Sequence, residues 1–174
     1  MKRRVAIRNV VLISAGAGLL PSCMQESSST IPLKHISITG SQQQMLAQLT
    51  EAIIPKTQNF IGANDLKAHE FMLTMIDDCA SPRDQSNFTD GLKDFDKFSF
   101  GKFKVDFTAF TPEQKRSLIA AIERKTDIPE NVQKFYSTVK RYTVQSFTSS
   151  EKYMLEIRKY KQTPGGDFKG CVAV

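Results

Sequence analysis

The chain has no tryptophan, two histidines and three cysteines in 174 residues. Each shortage excludes some chemistry. His35 and His69 lie far apart and lack the His-Glu-x-x-His spacing that sets two metal ligands on one helix face, so no metal site is expected. The cysteines, Cys23, Cys79 and Cys171, form no Cys-x-x-Cys-His, so the chain attaches no c-type haem. No Gly-x-Gly-x-x-Gly follows a strand, because Gly16 and Gly18 sit in the N-terminal apolar run, and no dinucleotide fold is supported. Gly-x-Ser-x-Gly is absent too. Long apolar runs are missing: the longest, Val10 to Leu20, is about half of the ~20 residues that span a bilayer.

What is present at the N-terminus is more specific. Lys2, Arg3, Arg4 and Arg8 precede that short apolar run, and Leu20-Pro21-Ser22-Cys23 closes it. A basic head, a short apolar middle and small residues at a cut form a signal-peptide layout, expected over residues 1–22. Cys23 after the cut resembles a bacterial lipobox and would carry lipid. Arg3-Arg4 resembles a twin-arginine signal, the route that exports folded proteins. The expected location is therefore the periplasmic side of the cell envelope, held to the membrane by a lipid anchor. The four cations before residue 23 explain most of the net charge of +6 and leave 20 basic against 18 acidic residues. Basicity is thus no argument for nucleic acid.

In an oxidising compartment the remaining cysteines, Cys79 and Cys171, either form a disulfide or stand as two thiols, and the bridge is the preferred reading. A polar, serine-rich tether is expected from Cys23 to residue 35, followed by one helical domain over 36–174. Helical periodicity predicts an all-α domain of about six helices. The first runs from a Ser41 cap to Ile54 and ends at Pro55. The second spans Asp65 to Cys79, with Cys79 on its inward stripe. The third spans Asp84 to Phe98. Thr111-Pro112-Glu113-Gln114 is a capping-box helix start, with proline in the first turn. Another helix opens at Pro129 or Glu130, and a last one covers Ser150 to Arg158. Between Phe98 and Phe110, aromatic residues interleaved with lysines predict an extended connector whose rings plug the core. Asp77-Asp78 invites an acid/base reading, but neighbouring helical residues point about 100° apart. A polar helix end, or an anchor for a nearby loop, is the expected role, and no catalytic or cofactor-binding residue is expected.

Three stretches together are similar to the gluconate 2-dehydrogenase subunit 3 family. Glu51-Ala52-Ile53-Ile54-Pro55-Lys56-Thr57 resembles its "IIP-x-T" helix end. Ile61-Gly62-Ala63-Asn64-Asp65 resembles the turn that follows, with Ile61 where the family has proline, and the next helix reaches Asp77-Asp78. Phe107 to Lys115, containing Pro112, Glu113 and Gln114, resembles "LTPEQ". Phe147-Thr148-Ser149-Ser150-Glu151, then Tyr160, Pro164-Gly165 and Gly170-Cys171, resemble the closing stretch. The resemblance implies a small subunit without a cofactor of its own. Its partners would be a large FAD-containing subunit of the glucose-methanol-choline type, which oxidises gluconate or a related sugar, and in some complexes a cytochrome c subunit with haem c. The small subunit would assist export, assembly and anchoring, with the phenylalanine-rich connector and the Pro-Gly tail as candidate partner surfaces. The competing readings are a stand-alone envelope lipoprotein, acting as a binding or scaffold module, and, more remotely, a hydrolase using Asp77 or Asp78.

Overall fold

The computed structural model describes residues 31–125 and 127–160. Arg3, Arg4, Cys23, Pro164, Gly165 and Cys171 lie outside the described residues. Within them the chain is all-α: α1 Gly40–Ile53, α2 Ala68–Cys79, α3 Pro82–Phe103, α4 Pro112–Arg124 and α5 Glu130–Thr148, with a 3-10 turn at Phe107–Ala109 and a π-helical turn at Tyr153–Ile157. The sixth helix expected over Ser150 to Arg158 is largely this π turn. No described helix is long and apolar enough to cross a membrane.

The helix starts follow local chemistry. Thr39, rather than Ser41, caps α1: its hydroxyl accepts the Gln42 N–H and the Gln42 amide oxygen accepts the Thr39 N–H. Thr111 and Gln114 repeat this box at α4, with Pro112 at the first helical position. Each box satisfies two N–H groups that a helix start would otherwise leave without partners. Ser81 caps α3 through the Asp84 N–H, so α3 begins two residues before the expected Asp84. Residues 63–67 form turns, and Lys67 at φ 50° starts α2 three residues after the expected Asp65.

The region from Phe98 to Phe110 departs most from expectation. It is not an extended connector: α3 continues through Phe103, and only a short stretch separates it from the 3-10 turn. The rings still fill the core. Phe107 and Phe110 are buried, Phe103 stacks on Phe110 with centroids 4.7 Å apart, and Phe95 meets Phe107 at 5.3 Å. Phe100 is the exception, at 49% exposed.

The central element is α5, which packs against α3, α2 and α1. Val132, Phe135, Tyr136, Val139 and Tyr142 recur on its buried face and meet Met72, Leu73, Ile76, Phe88, Leu92 and Phe95 in one apolar core. Gly91 lets α3 close on α5, since a Cβ there would lie 2.8 Å from the Phe135 Cβ. Glu123 pins α4 to α5 by accepting the Tyr136 hydroxyl at 2.8 Å and the Lys140 ammonium at 2.6 Å. The Lys140 and Tyr136 hydrogen bonds lower the Glu123 pKa, while burial and the carboxylate raise that of Tyr136. Cys79, expected on the inward stripe of α2, is exposed at its C-terminal end, while Leu73 is fully buried.

Candidate functional site

A carboxylate in the last turn of a helix faces the negative end of the helix dipole and is locally unfavourable. Both Glu51, near the end of α1, and Asp77, near the end of α2, stand in that position. Each uses its charge to capture backbone N–H groups from a neighbouring segment.

Glu51 organises the loop that follows α1. One carboxylate oxygen accepts the Lys56 N–H at 2.8 Å and the other accepts the Asn64 N–H at 2.9 Å. Asp65 closes the loop from the far side, accepting the Gly62 N–H at 3.0 Å and the Lys56 ammonium at 2.9 Å. These two bonds, first the Gly62 N–H and then Lys56, draw the Asp65 pKa below its ordinary value. Thr57 and Phe60 exchange bonds: the Thr57 N–H donates to the Phe60 carbonyl, and the Phe60 N–H donates to the Thr57 hydroxyl, both at 3.0 Å. Gly62 has to be glycine, because a Cβ would stand 2.6 Å from the Lys56 nitrogen and 2.7 Å from a Glu51 carboxylate oxygen. Ala63 is fully buried and donates to the Ile54 carbonyl at 2.9 Å. Ile54, Thr57, Gly62 and Ala63 are therefore one hydrogen-bonded unit, with Pro55 exposed at its edge.

This loop supports an aromatic ladder. The Phe60 and Phe147 centroids are 5.3 Å apart, Phe147 and Tyr153 are 5.4 Å apart, and the Lys152 ammonium lies 5.4 Å from the Phe60 centroid. The π turn leaves this ladder and exposes Leu155 at 51%, Ile157 at 55% and Tyr160 at 53%. Three large apolar side chains within six residues, at one end of the bundle, leave an apolar surface that no described element covers. Such surfaces mark contacts with other molecules.

Asp77 is the second hub. Its buried carboxylate accepts the N–H groups of Lys34, His35 and Ile36 at 2.7–2.9 Å and fixes the segment that leads into α1. Burial alone would raise the Asp77 pKa; the three N–H donors outweigh it and hold the group below its ordinary value. The Asp77 carbonyl also receives the His35 Nδ1 at 3.0 Å and the Gln85 amide at 2.9 Å. His35, Asp77 and Asp78 do bring one ligand atom each within 4.8 Å of one another. Yet both Asp77 oxygens already face peptide donors, and the exposed Asp78 makes none of these bonds. Asp77 thus acts as a loop anchor, and Asp78 stays exposed beside it at the helix end.

At the α4 start, Pro112 and Gln114 build the cap and Glu113 pairs with Arg116 at 3.1 Å. Their role is to set the helix start. Sequence reasoning missed Glu51 and Asp65 as the residues that hold the loop. The available signal was an acid in the last turn of a helix four residues before Pro55, where the dipole disfavours it.

The family described as gluconate 2-dehydrogenase subunit 3 matches residues 40–165, which spans both hubs, the capping box and the aromatic ladder. No curated protein matches the chain, and no solved structure does. With most of its length matched, the chain belongs to the gluconate 2-dehydrogenase subunit 3 family.

Proposed function

We propose that this chain is the non-catalytic small subunit of a gluconate 2-dehydrogenase-like complex. It assists export, assembly and membrane anchoring of a large FAD-containing subunit that oxidises gluconate or a related sugar. The observation that carries this reading is the apolar end formed by Leu155, Ile157 and Tyr160 over the Phe60–Phe147–Tyr153 ladder. No described element covers this surface, and the chain's family is named as one subunit of a dehydrogenase. The Asp77 hub supports the same reading, because its carboxylate is committed to holding backbone rather than to chemistry.

Arg3-Arg4 then serves two chains, this one and the folded flavoprotein it accompanies, and Cys23 tethers the pair through a lipid. A cytochrome c subunit would carry the electrons onward. The test is affinity purification of the tagged chain, co-expressed with the large subunit, in mild detergent, followed by a visible spectrum. A co-eluting large chain with a flavin band is the expected result. A colourless lone chain would instead favour a stand-alone envelope lipoprotein. Arg3→Lys with Arg4→Lys should strand the large subunit's activity in the cytoplasm, and continued appearance of that activity in the envelope would contradict the carrier role.

A further inference from the structure

The opposite end of the molecule has a different chemistry. Beyond the first residues of α5, the C-terminal ends of α3 and α4 stand side by side across a groove of about 620 Å³, whose lining includes Phe98, Gly101, Lys102, Arg124, Ile128 and one acid, Asp127. Beside it Phe100 is 49% and Val105 41% exposed. A Cβ on Gly101 would meet nothing within 4 Å, so no other described residue packs against that position.

Several cations at this tip lack an ion pair, as do Lys34, Arg83, Arg158 and Lys159 elsewhere among the described residues. Lys56, Lys67, Lys93, Arg116, Lys134 and Lys140 each have a carboxylate partner. Lys97, Lys102, Lys104, Arg124 and Lys125 are exposed, and none forms an ion pair with a described residue. Lys104 and Lys125 also occupy the left-handed caps of α3 and α4, at φ 60° and 55°. Glycine is the residue that fits such caps without strain. Lysine therefore stands at two helix ends where backbone energetics favour glycine. A cation near a helix end offsets the dipole of its own helix. That local effect does not explain why two such ends lie together with Phe100 and Val105 exposed beside them.

We propose that this tip is a docking surface for an anionic phospholipid membrane, with the unpaired cations on headgroup phosphates and Phe100 and Val105 at the interface. Unpaired cations around exposed apolar side chains complement an anionic bilayer surface in both charge and polarity. The surface acts whether or not Cys23 carries lipid, so it is separable from the subunit role proposed above.

The experiment uses the mature chain beginning at residue 23, with Cys23→Ser and without the basic N-terminal segment, floated with vesicles of phosphatidylcholine alone or mixed with phosphatidylglycerol. Binding is expected only to the mixed vesicles and should be released by high salt. Lys104→Gly with Lys125→Gly removes two charges and relieves two strained caps. It should weaken binding ~25-fold, at about fivefold per lysine near an anionic surface, while the unfolding temperature stays level or rises. Lys67→Gly with Lys159→Gly is the matched control, since those lysines also sit at positive φ, 50° and 52°. It should leave vesicle binding unchanged. Equal weakening by the control, no preference for phosphatidylglycerol, or full binding by the tip variant would overturn the proposal. Loss of the large subunit from the tip variant, with vesicle binding intact, would make the tip a protein interface and also overturn it.

Discussion

The two ends of α5 are built on opposite terms. At its C-terminal end, the loop from Ile54 to Asp65 has the N–H groups of Lys56, Phe60, Gly62, Ala63 and Asn64 taken up by Glu51, Thr57, Asp65 and Ile54, and its Phe60 ring meets Phe147. The surface this scaffold presents is apolar. At the other end, α3 and α4 finish on lysines held in a backbone conformation that costs stability, among cations without ionic partners. One end is held by hydrogen bonds within its loop, and the other retains charge against the preference of its backbone. The difference shows that exposed apolar side chains alone do not identify a surface. Leu155 and Phe100 are about equally exposed, but the groups around them fit different partners.

The sharpest way to break this contrast is at Glu51. Glu51→Ala leaves the Lys56 and Asn64 N–H groups without their acceptor and should destabilise the domain by about 1–3 kcal/mol, read by urea unfolding. A loss near zero would mean the loop is not held as described. Gly62→Ala forces a methyl group onto the same carboxylate and should cost about 1–3 kcal/mol, with a lowered unfolding temperature as the readout. Asp77 tests the second hub through pH. Its folded pKa is depressed, so its contribution is present above the ordinary carboxylate value of 3.8 and fades as pH falls below it. Asp77→Asn should lose about 1–2 kcal/mol near neutrality and show a flatter stability profile than the parent at acid pH.

His69 gives a smaller effect of related sign. Its Nδ1 is buried without a hydrogen-bond partner, and burial lowers its pKa from 6.5. The unfolded chain therefore binds the extra proton more readily, and stability should decline as pH drops through 6.5. His69→Gln should remove that slope from thermal melts recorded at two pH values. The smallest expected change, opposite in sign, is at the tip. Lys125→Gly alone should stabilise by about half a kcal/mol or less, because glycine relaxes the cap.

Most of the fold was legible because its signals are local. The Thr111–Gln114 box, the proline that ends α1 and the helical recurrence of Val132, Phe135, Tyr136 and Val139 each depend on residues a few positions apart. The segment around Phe100 was misread for the same local reason. Phe103, Val105 and Phe107 alternate with polar residues at strand period, and Gly101 weakens a helical reading, so only packing on Phe95 and Phe110 decides in favour of helix. The site was legible as a motif but not as a mechanism. Asp77 reaches Lys34, 43 positions away, and no spacing rule announces that a carboxylate at the end of one helix fixes the start of another. The placement of Cys79 failed because a helix stripe says nothing about where the bundle ends.

The most direct measurement sets the two ends against each other in one assay. The tagged chain is co-expressed with the large flavin subunit and purified in mild detergent as Leu155→Asp/Ile157→Asp and as Lys104→Gly/Lys125→Gly. All four side chains are exposed, so both variants should stay folded. The expected result is loss of the flavin-bearing partner from the first variant and its full retention by the second. Retention by the first, or loss from the second alone, would contradict the assignment of the apolar end to the partner subunit.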